Sequence, residues 1–127
     1  MAIKAPDLTQ RPPRSPRVRL GGYVILPRML DKGRATLNHK AGEYHFNCPL
    51  DQRFLTFVGI NAEPLKKQLA LGKGDGEILA WIEANAKFKR SPVEIAAWSA
   101  FSGTKSALFS AAAQQKRILL RSGATVD

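Results

Sequence analysis

The sequence predicts a mainly α protein: a compact single-domain bundle of five to six short helices, an extended Pro/Arg-rich N-terminal arm and at most one short strand pair. Three observations predict it. Apolar residues recur at helical spacing in segment after segment. Proline near first turns and glycine just past last turns punctuate those segments as helix starts and stops. Residues 1–19 behave differently, holding Pro6, Pro12, Pro13 and Pro16 interleaved with Arg11, Arg14, Arg17 and Arg19.

Proline fixes its own φ and pushes the residue before it towards extended backbone, so the arm reads as polyproline-like. It either stays in solvent or lies in a groove on the body formed by residues 20–127. Gly21-Gly22 is a turn or close-approach signal, and Tyr23 to Leu26 fits either a short strand or the lead-in to a helix. Pro27 suits a first helical position and opens a helix to about Asn38, weakly amphipathic through Leu30, Gly33, Ala35 and Leu37. Tyr44 and Phe46 alternate with polar neighbours, as in a short half-buried strand over Glu43–Asn47.

Cys48-Pro49-Leu50-Asp51 then opens a helix whose stripe Leu50, Phe54, Phe57, Val58 stops at Gly59. Asn61 caps a helix to about Leu71, with Leu65 and Leu69 inward. Asp75 caps the next, Glu77 to Ala86, with Ile78, Trp81 and Ile82 inward. Ser91-Pro92-Val93-Glu94 reads as a capping box opening a helix with Val93, Ala97, Trp98 and Phe101 inward, stopped by Gly103. A last helix, Thr104 to about Leu120, carries Leu108, Phe109, Ala112, Ile118 and Leu119.

Length and composition exclude several classes. A chain of 127 residues with 44% apolar and 24% charged residues suits one soluble domain with one core. No apolar run is long enough for a membrane span, and Met1 to Asp7 breaks into charge and proline without a signal core. The single cysteine cannot form an internal disulfide, which suits the cytoplasm. The net charge of +10 is uneven: residues 1–40 hold nine Lys/Arg against two acids. Such a field favours an anionic partner, either nucleic acid or a small carboxylated or phosphorylated molecule.

The candidate ligand-binding residues are Arg11, Arg14, Arg17, Arg28 and Arg34, because guanidinium forks grip carboxylates and phosphates bidentately. Tyr23, Asp31 and Lys32 are the candidate catalytic groups, a phenol, a carboxylate and an amine suited to acid/base work. The competing reading makes this segment a solvated helix face with intrahelical ion pairs. Cys48 near a helix N-terminus, with His45 and Asp51 close by, outlines a reactive thiol region; the plainer reading is an inert packed thiol. No ligand pair with zinc-site spacing is present, and no cofactor is required. Gly72-Lys-Gly-Asp-Gly76 lacks the ending of a phosphate loop and reads as a turn.

The chain resembles a family of small, mainly bacterial proteins grouped as a domain of unknown function, number five-zero-six-nine. The resemblance rests on Asp7-Leu8-Thr9, Arg11-Pro12-Pro13-Arg14-Ser15-Pro16, Leu20-Gly21-Gly22-Tyr23, Leu26-Pro27-Arg28, Asp31-Lys32 and Arg34-Ala35. It continues through Cys48-Pro49-Leu50-Asp51, Phe54, Trp81 and Ser91-Pro92. It implies no activity and assigns no catalytic residue. It implies that the arm, the Gly-Gly turn, the charged helix and the Cys48–Asp51 segment form one architectural unit. The leading expectation is a pocket for a small anion between arm and first helix. The alternatives are a basic nucleic-acid-associated protein and a scaffold whose arm docks into a partner.

Overall fold

Gly21 and Gly22 both adopt positive φ, 60° and 87°, which a two-residue hairpin with right-handed strand twist requires. They join β1 (Arg19–Leu20) to β2 (Tyr23–Val24) in an antiparallel pair, Arg19 opposite Val24 and Leu20 opposite Tyr23. This computed structural model describes residues 5–102. Within them follow α1 (Leu26–Leu37), α2 (Pro49–Val58), α3 (Ala62–Ala70), α4 (Asp75–Asn85) and a fifth helix, α5, over residues 92–102. The architecture is mainly α, as expected. The helix expected from Thr104 onwards lies outside the described residues.

Local signals explain most boundaries. Pro49 occupies the first turn of α2, the Asp51 carboxylate accepts from the backbone N–H groups of Asn47 and Cys48, and Gly59 ends the helix in the left-handed conformation. Ser91 and Glu94 close the capping box reciprocally: Ser91 N donates to Glu94 Oε1 at 3.0 Å, and Glu94 N donates to Ser91 Oγ at 3.2 Å. Ile25, before α1, is less ordinary. A β-branched, fully buried residue at φ 75° stores strain of about 1–3 kcal/mol. It is fixed from both sides, its N–H donating to Pro16 O and its carbonyl accepting from Met29 N.

The core runs from the hairpin through the inner faces of the helices: Val24, Leu26, Met29 and Leu30 meet Phe54, Leu55 and Val58, then Leu65, Leu69, Ile78 and Ile82. Gly33 lets α3 approach α1 closely; a Cβ there would lie 2.5 Å from Leu69 Cδ1. An aromatic cluster closes one side. Tyr23 meets Phe54 edge-on at 5.2 Å, and Phe57 stacks on Trp98 at 4.5 Å.

Three expectations are corrected. Residues 43–47 form turns and no strand; the strand pair sits earlier, at the Gly-Gly hairpin, where β-branched and aromatic residues flank a turn that only positive φ can make. Gly74, not Asp75, is the N-cap of α4, because the Asp75 carboxylate is drawn into a long-range ion-pair network. On α5, Val93 (79% exposed) and Phe101 (59%) point outward, while Ile95 and Trp98 pack on the core and Ser99 and Ser102 are buried. The reason is polar. Ser99 Oγ accepts from Val24 N at 3.2 Å and donates to Gly22 O at 2.6 Å, so this helix docks a serine against hairpin backbone.

Candidate functional site

The arm is built into the body. Leu8 is buried and its N–H donates to Lys40 O at 2.9 Å, while Pro13 is buried next to Arg14. Arg14 then makes the decisive contacts. Its backbone N–H and Nε both donate to Asp31 Oδ2, at 2.9 and 3.0 Å, and Nη2 donates to Asp31 Oδ1 at 2.9 Å. Its remaining arm, Nη1, reaches Asp75 Oδ2 at 2.8 Å. Arg34 completes the network, with Nη1 to Asp75 Oδ1 at 2.7 Å and Nη2 to Lys73 O at 3.1 Å. Two guanidiniums and two carboxylates thus tie the arm to α1 and to the start of α4.

This network adjoins a cleft of about 570 Å³ lined by Pro6, Arg11, Pro12, Arg14, Asp31 and Arg34. A guanidinium has five N–H donors. Arg14 commits three to the carboxylates and Arg34 two to Asp75 and Lys73, so both retain donors, and Arg11 is exposed. Both oxygens of Asp31 accept from Arg14.

The network has a pH signature. Burial alone would push the Asp75 carboxyl up, but hydrogen bonds from Arg14 and Arg34 outweigh it and hold the group below the ordinary carboxylate range. Arg14 is displaced upward, mainly by its hydrogen bond to Asp31, so its charge persists at any working pH. A depressed acid contributes stability above its unfolded value, 3.8, and loses it as pH falls through the lower folded value. We expect this group's contribution to be fully present and independent of pH near neutrality, and to decline below about pH 3.8. Urea titrations of Asp75→Asn across that range check it: the variant should start less stable at neutral pH and show a shallower acid decline.

The sequence-derived residues separate into distinct places. Arg11, Arg14, Asp31 and Arg34 meet at the cleft. Arg28 instead donates to Arg14 O at 3.3 Å and lies 5.5 Å from the Tyr44 ring centre, and Arg17 is exposed on the arm with its N–H on Ser15 Oγ. Tyr23 is buried among Phe54, Phe57 and Trp98, where burial pushes its phenol up. It belongs to the core. Lys32 also leaves the expected pocket, because successive helix residues point about 100° apart and cannot share a face.

Lys32 turns inward to a second cluster. Its ammonium, on a residue 3% exposed, lies 2.9 Å from Oδ1 of the wholly buried Asp51 and donates to Cys48 Sγ at 3.1 Å. The approach to Oδ1 has ion-pair distance without hydrogen-bond alignment. His45, expected beside the thiol, is exposed and lines a separate hollow of about 410 Å³ with Tyr44, Asn47, Glu63 and Lys66. The thiol's neighbour is Lys32. Among the described residues no group of three His, Cys, Asp or Glu is placed to hold a metal, and no helix is long and apolar enough to cross a membrane.

Sequence reasoning missed Asp75 as a site residue, having read it as a helix cap. No local signal marks it, since its partners Arg14 and Arg34 are 61 and 41 positions away. Set beside known proteins, the chain is matched over residues 10–124 by the family model described as a domain of unknown function (DUF5069). No curated protein matches it significantly.

Proposed function

The chain belongs to the DUF5069 family, and we propose that it is a cytoplasmic binding protein whose arm cleft takes a small molecule bearing a carboxylate or phosphate group. The observation that carries this reading is the convergence of Arg11, Arg14 and Arg34 on one cleft with guanidinium N–H donors unused. Asp31 and Asp75 balance two of the three positive charges and hold two guanidinium planes still, so little side-chain entropy remains to be lost on binding. Arg11 supplies surplus positive charge, which suits an anionic head group. The role is binding and not proton transfer: Asp31 has both oxygens engaged, and Tyr23 and Lys32 lie elsewhere.

Calorimetric titration with inorganic phosphate and with succinate tests it. We expect one site per chain, weakened about tenfold or more by Arg11→Ala or Arg34→Ala, because each removes a charge-assisted contact of about 1.5–3 kcal/mol. Arg17→Ala should leave it unchanged. Failure of both anions to bind, or binding indifferent to Arg11 and Arg34, sinks the reading. The basic-patch alternative has its own mark: Arg11, Arg17 and Arg19 are exposed along the arm. It gains if duplex DNA or RNA binds with affinity falling steeply with salt and untouched by Arg34→Ala.

A further inference from the structure

The cluster of Lys32, Cys48 and Asp51 holds three reactive groups that anion binding does not use, and none of them lines the arginine cleft. Cys48 is half-buried, while its neighbours Lys32 and Asp51 are buried. The chain has a single cysteine, so a sulfenic acid formed at Cys48 has no second thiol of its own chain to condense with. It has an amine instead. Lys32 Nζ already lies 3.1 Å from Sγ, held there by helices α1 and α2. The ammonium needs a base before it can attack, and Asp51 Oδ1 stands 2.9 Å away on a buried residue, in reach once rotation of the ammonium aligns an N–H with it.

The geometry points to a peroxide-driven modification site at which Cys48 and Lys32 become covalently linked. In the first step Sγ attacks one oxygen of hydrogen peroxide and the O–O bond breaks. Sulfur is oxidised to sulfenic acid, and the second oxygen leaves as water carrying the thiol proton. In the second, Lys32 passes one ammonium proton to Asp51 and its nitrogen attacks Sγ. The N–S bond forms as the S–OH bond breaks, and the hydroxyl departs as a second water with one of the two protons left on the amine, the other staying on the linked nitrogen. One peroxide is consumed and the chain loses two hydrogens. The link ties α1 to the start of α2, and a thiol reductant returns both side chains.

Mass spectrometry under non-reducing conditions tests this on the folded full chain treated with a small excess of hydrogen peroxide. We expect a species lighter than the untreated chain by two hydrogens, with the peptides of Lys32 and Cys48 joined, tryptic cleavage after Lys32 lost and both effects reversed by dithiothreitol. The same treatment in urea should leave the peptides unlinked, because the crosslink depends on the folded contact. Lys32→Arg keeps the positive charge but removes the primary amine, so Cys48 should proceed to the sulfinic acid, gaining two oxygens. The wild-type readout stands alone if that variant does not fold. The proposal is overturned if folded wild-type protein acquires two or three oxygens at Cys48 with Lys32 still cleavable. It is equally overturned if the folded chain stays fully reduced where the urea-unfolded chain is oxidised.

Discussion

Asp51→Ala should cost about 3–5 kcal/mol, a large share of the roughly 5–15 kcal/mol that holds a domain of this kind folded. The carboxylate has two duties. Oδ1 faces the Lys32 ammonium at 2.9 Å, and Oδ2 accepts from Asn47 N at 2.9 Å and Cys48 N at 3.4 Å, backbone donors at the start of α2 that otherwise lack a helical partner. Truncation leaves a buried cation unpaired, and that residual charge dominates the loss. Asp51→Asn separates the two duties, since it keeps an oxygen for the backbone donors while removing the charge; it should lose less than alanine. Lys32→Met with Asp51→Ala should recover part of the alanine loss by removing the stranded ammonium. Urea unfolding midpoints decide. A loss below about 1 kcal/mol for Asp51→Ala would mean that Lys32 escapes to water, contrary to its burial.

That ion pair also shows where sequence reading ends. Helix boundaries were legible because their causes are local: Ser91 and Glu94 are three residues apart, and Pro49, Asp51 and Gly59 all act within α2 or at its ends. The arginines of the arm were legible as a group because proline spacing held them out of any helix. Direction was harder. Asp31 and Lys32 were expected to face one pocket, although adjacent helical positions diverge, and Asp31 went to Arg14 while Lys32 went to Asp51. The face of α5 was misjudged because it docks on hairpin backbone, so a hydroxyl at Ser99 is worth more there than another methyl group. Asp75 shows the same limit at longer range. Its glycine-rich surroundings announce a turn, whereas its partners are chosen by how arm, α1 and α4 dock.

Phe54→Ala is the second large effect, about 3–5 kcal/mol, and it separates core from site. The ring is fully buried, meets Tyr23 edge-on at 5.2 Å and lies 6.3 Å from Trp98, so its removal opens a void where the hairpin, α2 and α5 meet. Neighbouring rings can relax only partly into that space, and the cavity adds to the lost transfer free energy. Tyr23→Phe removes only a hydroxyl from the same cluster and should shift the urea midpoint far less. The cleft, by contrast, is lined by the arm and α1, and its network is anchored at α4, with no residue from α2 in its wall. Well below its melting temperature, folded Phe54→Ala should therefore bind phosphate or succinate as the wild type does, despite its reduced stability. Tyr23→Phe should bind equally well, because the phenol belongs to the core. A binding defect in either variant, measured where circular dichroism reports a fully folded chain, would mean that the aromatic cluster sets the position of the arginines. The arm would then depend on the core for its geometry, through the strained turn at Ile25 that joins the hairpin and Pro16 to α1.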